Sequence, residues 1–238
     1  GEVQGSARRS SCPHAKAGVM ERSALAREAA VSLTAEARRD FALVIPAFNE
    51  AKYLPVSLEA AHRSRAVLGQ AGWTSEVIVC DNNSTDETAA VARANGARVV
   101  FEPFNQIAAS RNAAGRAARG DWLVFVDADT QVSPRLFREM MRTMARDDCL
   151  GGGCPIIFDS GPWLGRHTVI VWNLTARIMR WAAGSFLFCR ASAFHELGGF
   201  SPDFFAGEEV DYCIRLNRLG RRLAKRMVYL NEPVISSG

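Results

Sequence analysis

The sequence predicts an α/β protein with a mostly parallel, Rossmann-like sheet flanked by helices. Three observations carry that expectation. Four short apolar runs alternate with helix-like segments between residues 41 and about 144. The run Trp122–Val126 is apolar or aromatic throughout, as a strand covered on both faces must be. Polar clusters follow three of the strands, and in an open parallel sheet ligands bind beyond the strand carboxyl ends.

The elements follow in order. Residues 1–39 are rich in Ala and Arg; the first eighteen read as a flexible tail and Val19–Arg38 as an appended surface helix. FALVI, 41–45, is strand one, ended by Pro46. Asn49 is placed to cap a helix from Glu50 to about Leu68, with Pro55 bending it or delaying its start. EVIVC, 76–80, is strand two, followed by Asp81 to Thr85 and a helix over 86–94 that Gly96 stops. ARVVF, 97–101, is strand three; a helix over 107–118 ends before Gly120, and strand four leads to Asp127-Ala128-Asp129. Ser133-Pro134 supplies an N-cap and a first-turn proline for the next helix. Right-handed crossovers join the parallel strands.

Beyond residue 146 the rhythm changes. GGGCPIIFD, 151–159, reads as an extended segment after a flexible glycine run, 168–181 as a helix and 184–190 as a strand. A short helix over 191–197 ends at Gly198-Gly199. Gly207-Glu208-Glu209 opens a helix that runs to Leu219 and stops at Gly220, and 228–230 is a last strand. No linker separates this half from the first, so 40–238 reads as one domain.

Composition narrows the function classes. The chain has 238 residues, 48% hydrophobic and 23% charged, enough to bury a full core. A net charge of +4, with basic residues scattered and no aromatics stacked between them, argues against nucleic acid. Six cysteines, at 12, 80, 149, 154, 189 and 213, form no close pair and read as core thiols of a reducing compartment. The nearest candidate for a membrane span, Val169–Phe188, is broken by Asn173, Arg177 and Arg180, and the N-terminus lacks the apolar segment of a signal peptide. The expected location is cytoplasmic, or at the inner face of the membrane. PAFNE after strand one replaces a glycine-rich fingerprint, which argues against a nicotinamide or flavin cofactor.

Chemistry-bearing residues gather at one rim: Pro46–Glu50, Asp81–Asp86 and Asp127–Asp129. Two carboxylates two residues apart suit a hard divalent cation shared with phosphate oxygens and water; the plainer alternative is a cap of the following turn. For Asp81 the alternative is an Asx turn. Arg111 and Asn112 offer a cation and an amide near a diphosphate, the alternative for Arg111 being a surface salt bridge. Glu208, Glu209 and Asp211 lie on the first turn of their helix, where capping and general-base readings compete. Trp163, Trp172, Trp181 and Phe204 line an acceptor site or belong to the core. His195 reads as an ordinary helix histidine. Arg166, Arg177 and Arg180 lie among Trp163, Trp172, Ile178 and Trp181, the pattern of an interfacial helix or of a core one.

FALVIPAFNE (41–50), EVIVCDNNSTDET (76–88), ASRNAAGRAARGDWLVFVDADT (109–130) and GSFLFCRASAFHELGGF…GEEVDYCIRLNRLG (184–220) together resemble family 2 glycosyltransferases of the GT-A fold. The resemblance implies transfer of a sugar from a nucleotide diphosphate sugar to a hydroxyl acceptor (a sugar, a lipid-linked or a small molecule), with inversion and with Mn²⁺ or Mg²⁺. It divides the domain into a nucleotide-binding half, 40–130, and an acceptor-side half, 131–238. Pro46, Ala47, Asn49 and Glu50 then line the nucleotide site, with Asp81 and Asn83 by the base or ribose and Arg111 by the diphosphate. Asp127 and Ala128 begin the DxD motif and Asp129 is its metal-holding carboxylate. Glu209 stands at the catalytic base. It is one methylene longer than the family's usual Asp, which leaves Glu208 and Asp211 as alternates. Asn82 stands where the family often has a second Asp. The Gln-x-x-Arg-Trp element of processive members is missing, so a single transfer per encounter is expected. A C-terminal acceptor-binding piece beyond Ser237-Gly238 is expected to be absent or cut away. A nucleotidyltransferase and a non-catalytic sugar-nucleotide-binding module are the competing readings.

Overall fold

In the computed structural model residue 1 and residues 39–159, 163–204 and 206–237 are described. The expected tail and appended helix before residue 39, with Cys12, lie outside them, as do the side chains of Trp163 and Arg166. Strand β1 (Arg39–Ala47) is the spine. Its run from Phe41 to Ile45 is apolar at every position because both faces are covered. Phe41, Leu43 and Ile45 join one core cluster; Ala42 and Val44 join the other.

β1 pairs in parallel with β2 (Ser75–Asp81) on one side and β4 (Gly120–Val126) on the other. β3 (Arg98–Phe101) extends the sheet beyond β2. Past β4 lie β8 (Phe186–Arg190), β6 (Cys149–Gly153) and β9 (Arg226–Tyr229), giving the order β3-β2-β1-β4-β8-β6-β9. Only β8 runs against the rest. A second sheet joins β5 (Thr130–Gln131), β10 (Val234–Ser236) and β7 (Ile156–Phe158) in the order β5-β10-β7. Helices α1 (Leu54–Gln70), α2 (Thr88–Ala94) and α4 (Pro134–Met144) cover one face of the large sheet. Helices α3 (Ile107–Ala117), α6 (Ala191–Leu197) and α7 (Glu208–Arg222) cover the other. Helix α5 (Trp163–Met179) packs beside β7. This is the expected mostly parallel, helix-flanked sheet with a mixed second half.

Several boundaries differ, each for a local reason. β1 continues through Pro46, which lies beyond the last residue paired with β4, so its missing N–H breaks no bond on that side. Asn49 does not cap a helix. It adopts a left-handed φ of 56° and its Oδ1 accepts from the Thr85 amide at 2.8 Å, while Pro55 delays α1 to Leu54. The glycines at 151–153 are not a flexible run but the edge-to-edge pairing of β6 with β8. A Cβ on Gly152 would lie 2.0 Å from the Val228 carbonyl and 2.8 Å from the Phe188 ring, so no other residue fits. Gly220 does not stop α7, which runs on to Arg222; a Cβ there would sit 2.8 Å from the Lys225 carbonyl. β5 and β10 had no signal in the sequence. The five described cysteines are buried and unpaired.

Gly152→Ala is expected to destabilise the fold by about 1–3 kcal/mol or to prevent folding. Gly69→Ala, where nothing lies within 4 Å of the new Cβ, should be neutral or slightly stabilising. Equal urea midpoints for the two variants would contradict the close packing assigned to β6.

Candidate active site

The carboxyl ends of β1, β2 and β4 open onto a cavity of about 430 Å³. Pro46, Ala47, Glu50, Asp127, Ala128 and Asp129 line it, as do Asn82 and Gln106. Its loops are tied to one another by side chains. Asn49 holds Thr85 through Oδ1, and its own amide donates to Ser84 Oγ at 3.0 Å. The amides of Glu50 and Ala51 donate to Thr88 Oγ1 at 2.8 Å and to Asp86 Oδ2 at 3.2 Å. Asn82 donates to the carbonyls of Glu102 and Phe104, at 3.1 and 2.6 Å, and so positions the segment before α3. Asn83, with a left-handed φ of 62°, donates to Asn105 Oδ1 at 2.9 Å.

Asp81 is buried, and its Oδ1 accepts from the Ser84 amide at 3.1 Å, which is the turn-forming alternative realised at one oxygen. Asn49, Asp81 and Asn83 are not among the lining residues of this cavity. They shape its loops. Asn105, Gln106 and Ser110 do line it and were not anticipated; only a polar stretch ahead of α3 marked them in the sequence.

Arg111 is neither a surface salt bridge nor open to the first cavity. Its side chain, only 2% exposed, donates to Asp127 Oδ1 at 2.9 Å, to Glu208 and to the Gly184 carbonyl at 3.2 Å. Its guanidinium lies 5.5 Å from the Phe200 ring centroid. Burial opposes that charge, but Asp127, Glu208 and Glu209 outweigh it and hold the guanidinium pKa above its usual value. Asn112 does not reach toward a diphosphate either. Its amide exchanges two hydrogen bonds with the Phe200 backbone, both 2.8 Å, and pins the turn that precedes α7. Gly199 in that turn has φ 84°, and a Cβ there would lie 2.2 Å from Asn112 Oδ1.

The three carboxylates of the first turn of α7 have separate fates. Glu208 is buried against Arg111. Asp211 accepts from Arg215 at 2.7 Å, and Arg215 also holds the carbonyls of Leu197 and Gly199. Glu209 has no ion pair among the described residues. It faces a second cavity of about 710 Å³, lined also by Arg111, Asp127, Phe158, Trp172 and Glu208. Burial pushes its carboxyl pKa up; Glu208 and Asp127 add to the rise, while its own amide and Arg111 oppose it. The two cavities share Ile107 and Asp127. Of the aromatic acceptor-site candidates, Trp172 lines the second cavity, Trp181 faces a different depression, and Phe204 is 43% exposed. His195 takes part in an edge contact with Phe194.

Asp129 accepts from Ser237 Oγ at 2.5 Å and Ser236 Oγ at 3.4 Å, because β10 pairs with β5 directly after the Asp127–Asp129 turn. Glu50, at the same rim, has its pKa raised by burial first and then by Asp129, Asp127 and Asp86. Among the described residues no group of three or more His, Cys, Asp or Glu side chains is arranged to hold a metal ion.

The model of glycosyl transferase family 2 matches residues 42–221, which span both cavities. The chain belongs to that family. As a family 2 member it is 33% identical over 141 residues to an uncharacterized glycosyltransferase of Mycobacterium tuberculosis, covering 57% of this chain and 59% of the relative. An uncharacterized glycosyltransferase of Rickettsia prowazekii is 35% identical over 82 residues, 34% of this chain and 28% of the relative. The chain therefore spans between about a quarter and three fifths of these curated relatives. Two solved structures share the fold. A mannosyltransferase of Pyrobaculum calidifontis, in complex with GDP-Man and Mn²⁺, has a TM-score of 0.64 at 19% identity, covering 84% of this chain and 57% of that one. Glucosyl-3-phosphoglycerate synthase of Mycobacterium tuberculosis, in complex with Mn²⁺, UDP and phosphoglyceric acid, gives 0.62 at 20% identity over 86% and 73%. Family membership leaves the nucleotidyltransferase reading without support. No helix among the described residues of this family 2 chain is long and apolar enough to cross a membrane.

Two stability tests follow from these charges. Glu209 has a raised folded pKa, so its ionisation costs no stability below the unfolded carboxyl value and costs progressively more as pH rises through the folded one. Glu209→Gln should therefore melt a few degrees higher than the parent at pH 7 and at the same temperature near pH 4; a gap that does not change with pH would refute the assignment. Arg111→Met leaves Glu208 buried without its cation and should cost about 3–5 kcal/mol, partly recovered by adding Glu208→Gln. Urea unfolding of the single and double variants measures this, and the absence of any recovery would contradict the pairing.

Proposed function

We propose that the protein is a metal-dependent, inverting glycosyltransferase that moves a sugar from a nucleotide diphosphate sugar to an acceptor hydroxyl. One observation carries the reading. Glu209, alone of the three α7 carboxylates, is free of an ion pair among the described residues and faces a cavity that meets the strand-end cavity at Asp127. In this reading the donor nucleotide lies along Pro46, Ala47 and Glu50, between the loops that Asn49, Asp81 and Asn83 shape. Asp127, Ala128 and Asp129 face its diphosphate. The acceptor enters the second cavity over Trp172 and Phe158.

Glu209, ionised, takes the proton of the acceptor hydroxyl. The acceptor oxygen forms its bond to the anomeric carbon from the face opposite the diphosphate. The bond from that carbon to the diphosphate oxygen breaks, and the nucleoside diphosphate leaves with the electron pair. The raised pKa of Glu209 makes its carboxylate a stronger base than an exposed one. Arg111 does not touch the donor in this mechanism; it holds Asp127 and Glu208, so that Glu209 is presented at a fixed place.

The rim suits a divalent cation. Asp127, Asp129 and Glu50 present only hard oxygen donors; burial first, and then repulsion from Asp129 and Asp127, raises the pKa of Glu50. Asp129 would hold the ion, with diphosphate oxygens and water as the further ligands. When bound, the ion supplies neutralisation of the charge that gathers on the departing diphosphate. The fold's solved relatives carry Mn²⁺ with a guanine nucleotide sugar in one case and with UDP in the other, which supports the class of donor and leaves its base open.

Calorimetry with UDP and with GDP should show binding that depends on Mn²⁺, and Asp129→Ala should remove that dependence; equal affinity in EDTA would sink the site. A screen of nucleotide sugars, scored for donor hydrolysis or transfer, then provides turnover. Glu209→Gln should lower turnover by roughly 10²–10⁴-fold with donor affinity nearly unchanged. If Asp211→Asn abolishes turnover at unchanged donor affinity while Glu209→Gln does not, the base is Asp211 and this assignment is wrong.

A further inference from the structure

Helix α5 is covered on one side only. Trp172 and Ala176 pack inward, the latter 1% exposed, and Val169 with Trp172 walls the second cavity. On the opposite side Ile170, Val171, Leu174 and Ile178 are 63%, 65%, 59% and 70% exposed. At about 100° per residue these four fall within an arc of about 100°, a continuous apolar stripe. Met179, at the helix end, is 49% exposed as well. Stripes of this kind mark contact surfaces.

The end of the stripe runs into a strongly basic depression. Ile178, Met179 and Trp181 line it together with Arg180, Arg218 and Arg221. Ile214, Asn217, Lys225 and Arg226 line it too, and no carboxylate among the described residues takes part. Arg226 is held by Asp148 at 2.9 Å, but Arg180, Arg218 and Arg221 have no ion pair among the described residues. Arg218 and Arg221 stand three apart on α7, with Ile214 one turn before them on the same side. Nothing in the fold explains a row of unpaired arginines beside a row of exposed aliphatic side chains.

We infer that this face docks on an anionic lipid surface. The apolar stripe enters the boundary between headgroups and acyl chains, and the unpaired arginines meet lipid phosphates. That is the division of labour of an interfacial amphipathic helix, and charge complementarity favours it over a protein partner or a second copy of this chain, whose matching face would be equally basic. α5 presents its two sides about one helix diameter, roughly 10 Å, apart. A docked protein therefore holds the second cavity close to the headgroups. The inference does not rest on the catalytic reading, because it uses residues of neither carboxylate cluster.

The test is sedimentation of the full chain with vesicles of phosphatidylcholine alone and with about a third phosphatidylglycerol. Binding is expected to the anionic vesicles only, and to weaken about tenfold or more when salt is raised from about 0.1 M to 0.5 M. Arg218→Glu/Arg221→Glu should abolish it. Leu174→Gln/Ile178→Gln should weaken it about tenfold at low salt. All four positions are exposed, so melting temperature and nucleotide affinity measured on the same samples should stay at parental values. Failure to bind anionic vesicles, or equal binding to neutral ones, overturns the inference whatever the nucleotide result. So does light scattering that shows a dimer lost in the Leu174/Ile178 variant, because the stripe would then belong to a second copy. Loss of nucleotide binding in the parent would strike the proposed donor site and leave this inference standing on the vesicle result.

Discussion

The site depends on one buried cation. Among the described residues five carboxylates, Glu50, Asp127, Asp129, Glu208 and Glu209, gather around two joined cavities, and a single guanidinium is buried among them. Arg111 comes from α3, Asp127 from the end of β4 and Glu208 from the start of α7, so its pairings tie together three elements from distant parts of the chain. The planar fork of arginine can do this because one terminal nitrogen serves Asp127 and the Gly184 carbonyl while the other serves Glu208. The Nε has no partner among the described residues, so the network is satisfied at its ends and unpaired at its stem. What the cation leaves uncompensated is informative. Glu50 and Glu209 keep raised pKa values, and they line the first and the second cavity respectively.

The reversal of β8 makes that arrangement available. In a wholly parallel sheet the rim would hold only strand carboxyl ends and the loops that follow them. β8 runs the other way, between β4 and β6, so the residues that precede it, Gly184 and Ser185, reach the rim where β4 ends. A Cβ on Gly184 would lie 2.9 Å from Arg111, which ties that glycine to the buried cation. The second sheet adds its own contribution, since β10 brings the hydroxyls of Ser236 and Ser237 onto Asp129.

Much of this was legible in the sequence because local rules agreed with one another. The apolar runs of β1, β2 and β4, the Ser133-Pro134 start of α4 and the short α6 all stand close to where propensity and capping place them. Asp127, Asp129 and Glu209 were found at strand and helix ends, where side chains are presented to a cleft. What escaped was long-range. Nothing in the neighbourhood of Arg111 says that it will be buried, for its partners lie 16 and 97 residues away. Asn49 and Asn83 read as ligand-binding amides, and nothing in their surroundings told of the left-handed backbones and cross-loop hydrogen bonds that tie the loops together. The glycines of β6 looked flexible because a lone sequence cannot show the Phe188 ring and the Val228 carbonyl that fill the space their side chains would take.

The span of these contacts has a kinetic consequence. Gln106 reaches Pro202, Arg111 reaches Glu208 and Ser237 reaches Asp129 across 96, 97 and 108 residues. Each such closure carries an entropic barrier of about 4 kcal/mol beyond its constant part. The parallel pair β1 and β2 closes a far shorter loop, from Phe41 to Ser75, and is free to assemble first. The polar clefts are complete only once the two halves of the chain have met. A chain with its sheet formed and its clefts still open would keep the shape of the fold while its carboxylates remain solvated, and the ordering of those carboxylates, rather than the growth of secondary structure, marks the arrival of the native state.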